Sequence, residues 1–260
     1  MLKWTPRLPR KPFLSRACGW PQLSSLVHVQ GGDVILDTKD LFIVRRPVGS
    51  FAMNQYLIAC KKTREAAIVD SGEDPSVFWG DYTDKQELSV SHLIQTHGHI
   101  DHVTGLVATK RKYPNARIFL HEKELTVYNN VEMMATMLGI HCDLPLPPVD
   151  TFVQNRQEIA VGKVKFEVIL TPGHTPGHCV YYHNCPETPF AFVGDLIFKG
   201  SVGRTDLPGC NQNHMIESIQ RLVKLLPPKT ILLPGHMECT SMGTEIESNL
   251  FVRHWTKNNI

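Results

Sequence analysis

Thr96-His97-Gly98-His99-Ile100-Asp101-His102 decides how this chain is read, because three histidines and a carboxylate fall within six residues. The apolar His92-Leu93-Ile94-Gln95 before it predicts a short strand, and Val103 to Lys110 after it predicts the start of a helix. The cluster is therefore expected on the loop leaving a strand, at the carboxyl end where α/β sheets place their chemistry. His97 and His99 are two apart, so an extended turn points both the same way, and Asp101 repeats that phase. Neutral imidazoles with a carboxylate suit zinc or non-haem iron, with manganese competing for the oxygen-rich half. Four such groups exceed what one tetrahedral ion takes from a single tight turn, so a pair of adjacent metals is expected.

Three further strand-end motifs repeat the pattern. Thr171-Pro172-Gly173-His174-Thr175-Pro176-Gly177-His178 follows an apolar stretch ending at Leu170. Its prolines and glycines fix a tight, rigid turn. His174 is the nearer ligand candidate, and His178 could instead hold the loop by hydrogen bonds. Phe192-Val193-Gly194-Asp195 delivers an acid after an apolar strand, and Leu233-Pro234-Gly235-His236 delivers a histidine in the same position. Rigid strands that each present one ligand at a glycine turn are a way to build a preorganised metal site. One aspartate can bridge two ions. The expected assignment is His97, His99 and His174 to one ion, Asp101, His102 and His236 to the other, and Asp195 to both. Two close divalent ions can hold a hydroxide at neutral pH and polarise a carbonyl or phosphoryl oxygen. Asp101 is expected to orient that hydroxide. No G-x-S-x-G elbow is present, and the metal reading needs no serine or cysteine nucleophile.

Asp70, at the end of Ala66-Ala67-Ile68-Val69, is either a partner of a metal-bound histidine or a turn residue with Gly72. The remaining strands are expected at Leu41–Val44, Gln55–Ala59, Ile118–Leu120, Val180–Tyr182, Phe190–Val193 and Ile231–Leu233, with a pair over Glu158–Leu170 turning at Gly162-Lys163. Helices are expected over part of 75–91 and at Gly105–Tyr113, Glu122–Leu138, Gln212–Leu226 and Thr244–His254. Pro145, Pro147 and Pro148 mark a mid-chain loop. Two halves, each with several strands and then helices, suggest an α/β protein of two face-to-face sheets with helices outside.

The 260 residues, 42% hydrophobic and 20% charged, have globular composition. No apolar run approaches the roughly 20 residues that cross a bilayer, and a net charge of +2 makes no case for nucleic acid. That charge is uneven. Lys3, Arg7, Arg10, Lys11 and Arg16 precede the first acid, Asp33. Setting those five aside leaves 22 basic against 25 acidic groups, about −3. Residues 1–32, basic, acid-free and mildly apolar, have the composition of an organellar transit peptide, mitochondrial by preference over plastid. The alternative is a disordered basic leader on a cytoplasmic protein. Residues 33–260 form the expected domain. Seven cysteines without a C-x-x-C pair argue against a disulfide framework and agree with a reducing compartment. Cys179 is read as a small buried hydrophobe.

The four motifs, in this order, resemble the metallo-β-lactamase superfamily, whose signature is T-H-x-H-x-D-H. The resemblance runs from about Val34 to the C-terminus. It implies an αβ/βα four-layer sandwich of two mixed sheets flanked by helices, with metals at one edge. Within the superfamily the chain resembles the short glyoxalase II-like hydrolases, through Gly200-Ser201-Val202-Gly203-Arg204-Thr205-Asp206 and Gly243 to Phe251. That resemblance implies a binuclear hydrolase of thioesters such as S-lactoylglutathione, with two divalent ions, zinc before iron or manganese. Long glyoxalase II enzymes carry a C-terminal helical domain with basic glutathione contacts; the expectation here is the short form. Arg204 and Asp206 stand where those enzymes have lysine and tyrosine, and Met237 stands where short relatives commonly have glycine. Arg204 could bind a substrate carboxylate or pair with Asp206. Gly203-Arg204-Thr205-Asp206 also resembles the persulfide dioxygenases, mononuclear iron enzymes on the same scaffold. A non-catalytic metal protein and an RNA-processing nuclease are the other readings.

Overall fold

The computed structural model describes residues 32–74 and 79–257. The leader expected over 1–32 lies almost wholly outside them, as does the first part of the helix expected within 75–91. Seven strands form one sheet in chain order: β1 (Asp33–Asp37), β2 (Leu41–Val48), β3 (Met53–Cys60), β4 (Glu65–Val69), β5 (Ser89–Ile94), β6 (Arg117–His121) and β7 (Thr151–Val153). Its first four strands pair antiparallel and the rest parallel. The second sheet contains β8 (Glu158–Val161), β9 (Val164–Leu170), β10 (Cys179–His183), β11 (Phe190–Gly194), β14 (Ile231–Pro234) and β15 (Thr240–Ser241), in the order β15-β14-β11-β10-β9-β8. It is antiparallel except for the β11–β14 pair. A small ribbon pairs β12 (Ile197–Phe198) with β13 (Ser201–Val202).

Strand alternation builds four layers. Side chains two apart on a strand share a face. On β3, Tyr56 and Ile58 join Phe119, Phe166, Tyr181, Phe192 and Leu233 between the sheets. Leu57 and Ala59 turn outward against α1 (Trp79–Lys85), α2 (Ile100–Val103), α3 (Leu106–Lys112), α4 (Leu125–Asn129) and α5 (Val131–Leu138). On β11, Phe190 and Phe192 face inward. Ala191 and Val193 pack with Met215 and Ile219 of α6 (Gln212–Leu225), Met242 of α7 (Met242–Ser248) and Val252 of α8 (Leu250–Thr256). This is the expected α/β sandwich of two mixed sheets flanked by helices.

Two expected helices are broken. Glu122–Leu138 becomes a 3₁₀ turn, Glu122–Glu124, then α4 and α5, which meet at Asn130 (φ −91°, ψ 5°). Asparagine competes with helical backbone bonding and favours such junctions. The expected Thr244–His254 helix divides at Asn249, whose side-chain oxygen accepts the N–H groups of Phe251 and Val252 and starts α8. Strands β1, β7, β12, β13 and β15 were not expected; they are short or lie at sheet edges and in the ribbon.

Candidate metal centre

All four motifs meet at one edge of the sandwich. His97 Nε2 lies 3.2 Å from His99 Nδ1, which lies 2.9 Å from His174 Nε2. His236 Nε2 lies 3.1 Å from Asp101 Oδ2, and His102 Nε2 lies 3.6 Å from the same oxygen. Asp195 stands between the two groups: Oδ1 is 3.4 Å from His102 Nε2, and Oδ2 is 3.5 Å from both His174 Nε2 and His236 Nε2. The structure thus brings together all seven residues that the sequence singled out. One local expectation changes. The loop after β5 stops at His99, so Asp101 and His102 belong to the short helix α2 rather than to an extended turn. Helical geometry, not a two-residue alternation, aims them at His236.

The outward-facing nitrogens settle which lone pairs point inward. His174 Nδ1 faces the carbonyl of Arg204 at 2.9 Å, and His236 Nδ1 faces that of Phe51 at 3.2 Å. A carbonyl only accepts, so both Nδ1 atoms carry the proton and both Nε2 atoms present lone pairs. The Thr96 hydroxyl donates to Asp70 Oδ2 at 2.9 Å, so its oxygen is free to accept from His97 Nδ1–H at 3.0 Å. His102 Nδ1 lies 3.0 Å from Asp70 Oδ2, at ion-pair distance though off hydrogen-bond alignment. Asp70 therefore orients two histidines, one directly and one through Thr96, which selects the first of its two expected roles. His178 is committed elsewhere: Nε2 accepts the Asp195 N–H at 3.1 Å and Nδ1 meets Thr171 Oγ1 at 2.8 Å. It holds the loop, as one of its two readings had it. Cys179 is fully buried.

Two glycines make room for the convergence. A Cβ at Gly235 would overlap Asp195 Oδ1 and lie 2.7 Å from His102 Cε1. Gly194, at φ +45°, would place one 2.6 Å from both His178 Nε2 and Thr96 Oγ1.

The electrostatics differ across the centre. Burial pushes His97 and His174 below the ordinary histidine range and His99 down to about 3, with neighbouring imidazoles adding to the effect on His97 and His99. That group is neutral at pH 7. Burial would also lower His102 and His236, but carboxylates reverse it: Asp101, Asp70 and Asp195 raise His102, and Asp101 raises His236. Burial would raise Asp195, yet His102 and its other histidine neighbours hold it well below the carboxylate range. Among the described residues, the ligand atoms of His97, His99 and His174, of His97, His102 and Asp195, and of Asp101, His102 and His236 lie within 4.8 Å of one another. His102 Nε2 and Asp195 Oδ1 are buried without a hydrogen-bond partner. A divalent cation would satisfy both, so the residues fit a metal.

Asp101 and His236 keep about a fifth of their side-chain surface exposed, whereas His97 and His102 are buried. Asp101 lines a cavity of about 600 Å³ with Phe51, Glu73, Thr104, Leu138 and Asp143. Arg204 is exposed and pairs with Asp206 through Nε at 2.7 Å and Nη2 at 3.0 Å. Its side chain thus takes the second of its two expected roles in this structure, while its carbonyl positions His174. Met237 takes the left-handed conformation, φ +66°, that glycine favours; its carbonyl is held by Asn54 Nδ2 at 2.8 Å and Arg45 Nη1 at 2.9 Å. Asn54 and Glu124 carry no motif signal in sequence, since each acts through contacts distant along the chain. No described helix is long and apolar enough to cross a membrane.

Relatives carry the same architecture. The hydroxyacylglutathione hydrolase GloC of Haemophilus influenzae is 32% identical over 212 residues, 79% of this chain and 95% of that protein. The B3 metallo-β-lactamase BLEG-1 superposes with a TM-score of 0.73 at 29% identity, covering 81% of this chain and 99% of that one. TTHA1623, solved in a di-iron-bound form, superposes with a TM-score of 0.70 at 31% identity, covering 80% and 98%. Residues 49–236 match the model of the metallo-beta-lactamase superfamily. With its sandwich fold and its clustered histidines and aspartates, the chain belongs to that superfamily of divalent-metal proteins.

Proposed function

We propose that this chain is a binuclear hydrolase of thioesters of the glyoxalase II type. The observation that carries the reading is the pair of complete ligand groups joined by Asp195: His97, His99 and His174 on one side, Asp101, His102 and His236 on the other. A mononuclear iron dioxygenase would use only the first group with Asp195. The 32% identity to GloC supports a hydroxyacylglutathione-like substrate. Bound divalent ions would supply an activated water at neutral pH and a Lewis acid for the thioester carbonyl. The protein does the rest. Asp195, held by the Asp195 N–H to His178 bond, fixes the spacing of the two groups. Asp101, at the cavity wall, would orient the attacking water. Arg204 can exchange Asp206 for a substrate carboxylate. Zinc is the first metal to test, because the donor set is nitrogen-rich.

Metal analysis of the purified chain, paired with a thioester panel and with oxygen uptake on glutathione persulfide, tests this. The expectation is two ions per chain and hydrolysis without oxygen uptake. One iron per chain with oxygen consumption would replace the reading with the dioxygenase. Arg204→Ala is expected to raise KM for carboxylate-bearing thioesters and spare kcat. The basic residues 1–32 are read as a mitochondrial transit peptide, tested by the location of a fluorescent fusion.

A further inference from the structure

Glu124 lies on none of the four motifs, yet it touches two of them. It ends the 3₁₀ turn after β6 and is fully buried. Its Oε2 accepts the Gly98 N–H at 2.8 Å, and its Oε1 accepts the Gly177 N–H at 2.5 Å. Gly98 lies between His97 and His99, on the loop leaving the first sheet. Gly177 lies three residues after His174, on the loop leaving the second. Among the described residues no lysine or arginine pairs with this carboxylate; burial pushes its pKa up, and the Thr175 side chain and the two backbone amides offset only part of that. Both loops press against it: a Cβ at Gly177 would lie 3.0 Å from Glu124 Cγ, and one at Gly98 would lie 3.4 Å from Glu124 Oε2. Among the described residues, one backbone–backbone bond joins the same loops, Cys179 N–H to the Thr96 carbonyl at 2.9 Å, but at their strand ends.

We propose that Glu124 is a positioning residue that clamps these two loops together and so assembles the three-histidine group before metal arrives. The trio is split between sheets, so its N···N spacings of 3.2 and 2.9 Å depend on how the two loops are held. A carboxylate suits the task because both oxygens accept. Glutamine of the same shape offers one acceptor and one donor, and would set its amide against one of the two N–H groups. The proposal rests on reading His97, His99 and His174 as ligands.

The test uses the full chain with zinc, read by chelator competition, and hydrogen exchange of the metal-free protein. Glu124→Gln and Glu124→Asp, the second keeping the charge on a shorter arm, are expected to keep the near-UV dichroism of the native fold. Their zinc affinity at one of the two sites should fall about 10- to 100-fold. In metal-free wild type, the Gly98 and Gly177 amides should be protected, and the variants should lose that protection. A merely structural glutamate would lower Tm while leaving the affinity of the folded variant unchanged, and that result overturns the proposal. So do unprotected Gly98 and Gly177 amides in the wild type, a measurement that decides the matter even if neither variant folds. Wild type that binds no divalent ion would refute the ligand reading instead, and the exchange result would still judge the clamp.

Discussion

Replacing Asp70 with asparagine probes how the fold sets the histidine tautomers. The change is nearly isosteric and adds no backbone strain: Asp70 sits at φ +57°, a conformation asparagine tolerates as well as aspartate. The wild-type carboxylate accepts the Thr96 N–H at 2.8 Å and the Thr96 hydroxyl at 2.9 Å, and faces His102 Nδ1 at 3.0 Å. Asparagine has one acceptor oxygen. If it serves Thr96, His97 keeps its tautomer, and the amide NH₂ turns toward His102 Nδ1. Two donors cannot face each other, so His102 moves its proton to Nε2 and withdraws the lone pair that points at Asp101 and Asp195. Losing such an orienting partner costs about 10- to 100-fold in metal affinity, or about 1.4–2.7 kcal/mol. The loss should fall on one of two ions, the one shared with Asp101 and His236. Stepwise zinc titration against a chelator of known affinity resolves the two sites. Wild-type affinity at both sites, or equal losses at both, would refute the tautomer argument.

Two further outcomes are expected. Gly235→Ala should empty the centre, because the new Cβ overlaps Asp195 Oδ1 and crowds His102. Such overpacking also costs about 1–3 kcal/mol in the metal-free protein, read as a lower urea midpoint with reduced zinc content. His92, half-buried and stacked on Phe119 at 4.8 Å, has its pKa lowered first by burial and further by Arg117, against a raising effect of Glu65. The native state therefore binds fewer protons than the unfolded chain, so stability is complete above the unfolded pKa and falls as pH drops through the folded one. His92→Gln should flatten that decline. Urea midpoints of both proteins from about pH 8 to about pH 5 check it, and parallel curves would contradict it.

The site was legible in sequence wherever its logic is local. An apolar strand that ends in a glycine turn with one histidine or aspartate says where that side chain emerges, and four such endings marked His97–His102, His174, Asp195 and His236. The apolar run Gln55–Ala59 likewise marked a strand, though which of its side chains face the other sheet came from the structure. What stayed hidden depends on partners distant along the chain. Whether Asp70 serves a turn or a histidine rests on Thr96 and His102, and Arg204 could be assigned only once Asp206 was found beside it. Glu124 read as an ordinary residue of a long helix until the break at Asn130 and the approach of Gly98 and Gly177 gave its carboxylate a task. Residue type and strand period are properties of a short segment, so sequence alone determined the ligand candidates and the layers. Proton placement and loop registry are properties of contacts across two sheets, and only the tertiary structure decided them.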